Sequence, residues 1–333
     1  MLVPAATAAT KTKACLALDT GGVDDKSFNA ASWAGAQAIA KSNKNVTVSF
    51  LPAASGADFA PNIKKFVDQK CNVIIGVGFA IAGAVIASAK ANPKIKYAIV
   101  DNDGLEPNAD YTAFKSFKNV KGLTFRTQES SFLAGYAAAA FSTKGIVATY
   151  GGAPYPTVTA FMDGFAQGVF YYNQVKKKGV RVLGWNRDTK NGEFVGDFGN
   201  TSKALQISKN FEQAGADVIL PVAGGLGGTT AQNSMDSGKS VTIWVDTDGF
   251  VSANKYRSVL LTSVMKGLGE SIQAVIAEVN AGTYTSKPYV GTVANKGTRL
   301  APFHDLDGAV PATLAKEIAA IQKKIVSGAI KVE

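Results

Sequence analysis

Histidine is almost missing from this chain: His304 is the only one in 333 residues. That excludes multi-histidine metal sites and leaves any histidine-dependent dyad no base but His304 itself. It lies in an irregular polar stretch, Pro302-Phe-His-Asp305, where a structural or solvated histidine is the simpler reading. Cysteine is scarce too. Cys15 and Cys71 are too few for a metal cage and lack C-x-x-C spacing. No apolar run reaches 18 residues, so no segment reads as a membrane-spanning helix. Arginine occurs only at 126, 181, 187, 257 and 299, whereas readers of bases and phosphates lean on arginine forks. With no zinc-finger spacing or RNA-binding aromatic signature, the net charge of +10 reads as a solvated lysine surface facing an anionic membrane, with no nucleic-acid partner.

Catalytic and cofactor motifs are missing as well. There is no G-x-S-x-G. Gly76-Val77-Gly78 follows a predicted strand, but Gly83 comes too late for a dinucleotide fingerprint, and no acidic residue is placed for a ribose. Gly224-Gly225-Leu226-Gly227-Gly228 is followed by threonines and no Walker lysine, so it suits close approach of backbone to a ligand. No cofactor and no metal are expected, and binding is easier to assemble than catalysis. The start, MLVPAATAATKTKA, lacks the apolar core of a signal peptide. That fits either a cytoplasmic protein or one whose signal and anchor were removed; the lone Met1 before a low-complexity Ala/Thr stretch favours the second, with 1–13 as a disordered tether. The first 14 residues also cannot supply a helix-turn-helix, which disfavours a regulator.

What is present is a repeating βα pattern. Hydrophobic content of 46% and charged content of 18% describe a globular protein, and the length suits two domains. Strands are predicted at Cys15–Leu18, Val46–Phe50, Asn72–Gly78, Lys96–Val100 and Val120–Phe125, with helices after the first three. The pattern restarts with strands at Gly145–Tyr150, Val180–Trp185, Asp217–Pro221 and Val241–Val245. A further strand at Val259–Thr262, a helix over Ser263–Asn280 and a last helix over Pro311–Ser327 complete it. The fold class is therefore α/β, with two doubly wound parallel-sheet lobes in series. Returning Val259–Asn280 to the first lobe gives lobes of 14–126 with 250–285 and 127–249 with 286–333, joined by three crossings that form a hinge. Cys15 and Cys71 stand at strands that neighbour each other in a 2-1-3 order. A disulfide fits there and suits an extracytoplasmic compartment; two buried thiols are the alternative.

In open α/β sheets ligands gather beyond the carboxyl ends of the strands. Asp19, Asp101 and Asp246 stand at such ends, and Lys266 follows another. Phe28 and Phe198 lie in adjoining turns. After Asp19, Thr20-Gly-Gly22 breaks the chain, and Asp24 or Asp25 caps a helix that begins near Phe28-Asn29. Three carboxylates, two aromatic faces and one ammonium suit a ring bearing a diol. The plainer reading is a capped turn with Phe28 in the core, Asp246 capping its own turn and Lys266 solvated.

The segment Asp19-Thr-Gly-Gly-Val-Asp-Asp-Lys-Ser-Phe-Asn29 resembles the signature of the BMP (basic membrane protein) family. These are substrate-binding lipoproteins of ABC transporters whose characterised members bind purine nucleosides. The likeness recurs at Tyr97–Asp101, Gly215–Ile219 with Gly224-Gly225, Val245–Asp248, Leu261–Lys266 and Leu300–Asp305. It implies a type I periplasmic-binding-protein fold, no enzymatic activity, and a lipid-anchored, extracytoplasmic monomer that partners an ABC permease. By position, Asp19 and Asp101 contact the base edge and Phe28 and Phe198 sandwich the ring. Gly225 offers backbone, Asp246 and Lys266 hold the ribose hydroxyls, and Asn29 assists. The ligand expected is adenosine, guanosine or inosine in an interlobe cleft. The alternatives are a receptor for a sugar or amino-acid-like ligand, or a nucleoside-processing enzyme.

Overall fold

Strands covered by helices on both faces can be apolar throughout, and the central strands here are. The computed structural model describes residues 11–333. In chain order the main strands are β1 (Thr12–Ala17), β2 (Val46–Leu51), β3 (Val73–Val77), β4 (Lys96–Val100), β5 (Val120–Phe125) and β6 (Ile146–Gly151). They continue with β7 (Arg181–Leu183), β8 (Val218–Val222), β9 (Val241–Asp246), β10 (Leu260–Lys266), β11 (Tyr289–Gly291) and β12 (Thr298–Leu300). All five residues of β3 and of β8 are buried.

The strands form two six-stranded sheets, ordered β11-β5-β4-β3-β1-β2 and β12-β10-β9-β8-β6-β7. The two orders are the same, so β4 and β9 hold equivalent places, as do β5 and β10. The pairs β1–β2, β1–β3, β3–β4 and β4–β5 are parallel, as are β6–β7, β6–β8, β8–β9 and β9–β10. Strand β12 joins β10 antiparallel. Each sheet thus has an edge strand for which the sequence reading gave no strand. Three-residue strands with one buried position each carry too little periodicity to be seen in sequence.

The chain folds as two compact units. Unit 1 comprises the residues through Gly22, Ser32–Thr124 and Leu268–Tyr289. Unit 2 comprises Val23–Ala31, Phe125–Gly267 and Val290–Glu333. Three expectations need correction. Val23–Ala31 and residues 125–126, expected in the first lobe, belong to unit 2, and residues 286–289, expected in the second, belong to unit 1. Strand β10 belongs to unit 2, because Val264 and Met265 pair with Val245 and Asp246 and the antiparallel strand β12 covers the other edge. The residues 250–267 therefore stay with unit 2, and the helix expected from Ser263 begins only at Leu268, after Gly267. Thr12 and Lys13, expected in the tether, belong to β1; the tether expected over residues 1–10 lies outside the described residues.

The helices are α1 (Phe28–Ser42), α2 (Phe59–Asp68), α3 (Ala82–Ala91), α4 (Thr127–Phe141) and α5 (Pro156–Lys176). After them come α6 (Thr201–Gln213), α7 (Gly227–Ser237), the one-turn α8 (Gly249–Ser252), α9 (Leu268–Asn280) and α10 (Leu314–Val326). The core of unit 1 gathers Ile63, Phe66, Ile74, Ile86 and Tyr97 around a bridge between Cys15 and Cys71, whose Cα atoms are 6.1 Å apart. The core of unit 2 packs Phe132, Phe165, Val218, Ile243 and Ile318 between sheet and helices. Within it α4 and α5 touch through backbone: a Cβ at Gly135 would stand 2.0 Å from the Phe165 carbonyl oxygen, and one at Gly168 2.0 Å from that of Phe132.

Candidate functional site

In unit 2 the carboxyl ends of β8, β9 and β10 gather most of the chemistry read from the sequence. The segment Val23–Ala31 is built onto this edge. Asp25, and not Asp24, caps α1: its Oδ1 accepts from the backbone N–H of Ser27 (2.9 Å) and Ala30 (3.0 Å), and its Oδ2 from that of Asn29 (2.8 Å). Burial nevertheless pushes the Asp25 carboxyl above its ordinary range, against these bonds, and the charge of Asp24 adds to the shift. A side chain at Gly225 would press on Asp25, with a Cβ 3.3 Å from the Asp25 Cβ. Glycine there lets the loop after β8 lie against the cap.

Asp246 ends β9 with left-handed backbone, φ 70°, a region that aspartate visits more readily than most residues. Its side chain is buried. Oδ2 accepts from Ser27 Oγ at 2.6 Å, and Oδ1 is 3.9 Å from Lys266 Nζ. Lys266 ends the adjacent strand β10 and is itself only 5% exposed. The two residues were expected on different lobes. They stand on neighbouring strands of one sheet, for the pairing reason given above. Three aromatic rings surround the ammonium, with centroids 5.1 Å (Phe28), 5.1 Å (Phe161) and 5.8 Å (Phe125) from Nζ. A buried ammonium away from water is held by such ring faces together with an opposing carboxylate.

Phe198 occupies another part of the same edge. It is half-buried beside Tyr155, with ring centroids 6.1 Å apart and planes 30° apart. Its ring lies on the backbone of Gly152, where a Cβ would come within 2.3 Å of it. A Cβ at Gly224 would stand 3.9 Å from the same ring. Asn29 is buried in the first turn of α1.

Unit 1 holds the other two carboxylates. Asp19 follows β1 and accepts from Thr20 N–H at 2.7 Å. Burial pushes its carboxyl up; the Thr20 bonds oppose this, and the charge of Asp101 adds a smaller upward push. Gly78 makes room for it, since a Cβ there would fall 2.2 Å from Asp19 Oδ2. Asp101 follows β4, is buried, and has φ 64°, the counterpart of Asp246 in the other sheet.

Four residues of this edge escaped the sequence reading. Ser27 lies inside the quoted motif but was given no task. Phe125 ends β5 and was open to the same strand-end reasoning as Asp19. Phe161 and Tyr155 sit in and before α5, where an aromatic reads as core. His304, by contrast, is structural: Nε2 is 2.8 Å from Asp248 Oδ2, and its ring stacks on Phe250 at 4.1 Å.

Two α/β units with one sheet order make up this fold, and known structures share it. A solute-binding protein of an ABC transporter system from Aeropyrum pernix K1 superposes with TM-score 0.82 at 20% identity, covering 96% of this chain and 92% of its own. Another from Conexibacter woesei gives TM-score 0.71 at 20% identity, covering 97% and 98%. The fold is the type I periplasmic-binding-protein fold. The chain belongs to the Bmp family, described as ABC transporter substrate-binding protein PnrA-like, whose model matches residues 12–333. Among its relatives, the CD4+ T-cell-stimulating antigen of Listeria monocytogenes is 29% identical over 94% of this chain and 86% of its own length. The ABC transporter nucleoside-binding protein BmpA of Lactococcus lactis is 28% identical over 83% and 77%. The family consists of extracytoplasmic substrate-binding proteins and not of enzymes.

Proposed function

We propose that this receptor captures purine nucleosides, with adenosine, guanosine and inosine as candidates, and delivers them to its ABC permease. The observation that carries the reading is the pairing of Asp246 and Lys266 at one strand-end edge, 3.9 Å apart and both buried. An ammonium only donates and a carboxylate only accepts, whereas a hydroxyl does both. A sugar diol can therefore accept from Lys266 and donate to Asp246 at once. Phe28, half-buried against the same ammonium, supplies a ring face for a flat base, and Phe198 a second on the glycine side of the edge. Gly225 offers backbone and Asn29 supports Phe28, its neighbour in α1. Asp19 and Asp101 are assigned to the polar edge of the base. The name of the Lactococcus relative, a nucleoside-binding protein, supports the ligand class. We read the protein as a monomer held at the membrane by a lipid anchor.

Native mass spectrometry of the purified protein and thermal shift with a compound panel test this. The expected result is a retained mass of a purine nucleoside and a rise in Tm with nucleosides. A Tm rise with free sugars or amino acids and none with nucleosides would overturn it. Release of free base that scales with protein would point to an enzyme instead.

A further inference from the structure

Ser27, inside the motif segment, touches the strand-end carboxylate of Asp246, and it is completely buried. Its hydroxyl has one hydrogen and two acceptors in reach: Asp246 Oδ2 at 2.6 Å and the Val245 carbonyl at 3.1 Å. The shorter contact goes to the charged oxygen, and a hydrogen bond to a carboxylate is the stronger of the two kinds. The preceding residue is fastened to the same strand end. Lys26 has left-handed backbone, φ 57°, and its carbonyl accepts from Trp244 Nε1 (3.3 Å) and Thr247 Oγ1 (2.9 Å). Residues 26 and 27 thus form a clip that grips 244, 245, 246 and 247 in turn. The clip sets two things at once: the rotation of the Asp246 carboxylate and the position of Phe28, the next residue.

We propose that Ser27 is the positioning residue of this site, holding Oδ2 of Asp246 so that the carboxylate presents Oδ1 toward Lys266 and the protein prefers ligands carrying both sugar hydroxyls. This rests on the nucleoside reading given above. An acceptor that rotates freely would spread its lone pairs over several directions, and a diol would have to order it on binding. Held by Ser27, it is ordered beforehand, which is where such a bond contributes to affinity.

Calorimetry with adenosine, 2′-deoxyadenosine and adenine on wild type, Ser27→Ala, Ser27→Cys and Ser27→Thr tests the proposal. Wild type is expected to prefer adenosine over both others. Ser27→Ala should lower that preference by about tenfold, the scale of one bond to a charged group. Ser27→Cys, similar in volume but a weak donor, should fall between, and Ser27→Thr, which keeps the hydroxyl, should restore most of the preference. Melting curves identify any variant that has not folded, and the remaining two then carry the comparison. A wild type that prefers adenosine, with Ser27→Ala and Ser27→Cys keeping the full preference, overturns the positioning role alone. A wild type that binds adenosine and adenine equally overturns the ribose reading and this proposal with it.

Discussion

Phe28 was open to two readings in sequence, ligand face or core, and its place now separates them by measurement. The side chain is half-buried, with its ring over the Lys266 ammonium, and α1 is anchored at that end by Asp25 rather than by the ring. Phe28→Ala should therefore weaken adenosine binding by about 1–3 kcal/mol, the scale for one aromatic face on a base. The melting temperature should change little. Calorimetry and a thermal melt on the same preparation check both; unchanged affinity with a large loss of stability would return Phe28 to the core. The strand-end aspartates were legible because polar residues closing apolar runs stand out. Their left-handed backbone was not, because φ leaves no mark on an aspartate that also suits a cap.

Helix α10 shows how an element is held. Glu317 accepts from Tyr136 Oη of α4 (2.6 Å) and Thr313 Oγ1 (2.8 Å), and it pairs with Lys176 Nζ of α5 (2.7 Å). The Lys176 bond, then the Tyr136 bond, holds the Glu317 carboxyl down at about 2, below its ordinary 4.5. A depressed carboxyl contributes stability above its unfolded pKa and loses it as pH falls through the folded one. Glu317→Gln should thus be less stable than wild type at pH 7, with the gap closing between about 4.5 and about 2. Urea unfolding at pH 7 and at pH 2 checks it; an equal gap at the two contradicts it. The α4–α5 contact gives a second test at this scale. Gly168→Ala drives a methyl into the Phe132 carbonyl and should cost about 1–3 kcal/mol, read by the same unfolding curves. Most helices and central strands were legible because βα alternation writes a clear pattern. The continuation of β10 through Ser263-Val-Met-Lys266 was not, since four residues before a glycine fit a helix start equally well. Only the pairing with β9 decides it, and pairing is not local.

For the whole molecule, two sheets of one order were readable from the restart of the pattern, but the allotment of the tail was not. It depends on which edge β10 joins, and that choice moved Lys266 beside Asp246. The bridge between Cys15 and Cys71 closes a loop with a separation of 56 residues. Replacing both by alanine should cost about 4 kcal/mol on the chain-entropy account. Denaturant unfolding gives the figure, and a loss under about 1 kcal/mol contradicts it.

The central claim is that Asp246 and Lys266 read a ribose, which makes this chain a nucleoside receptor. Its most direct test is calorimetry of the wild-type protein with adenosine, adenine and ribose, repeated on Asp246→Asn. Bonds to charged groups are worth roughly 1.5–3 kcal/mol each, so adenosine should bind at least tenfold more tightly than adenine. Asp246→Asn should remove most of that advantage. Equal affinity for adenosine and adenine on the wild-type protein would contradict the account.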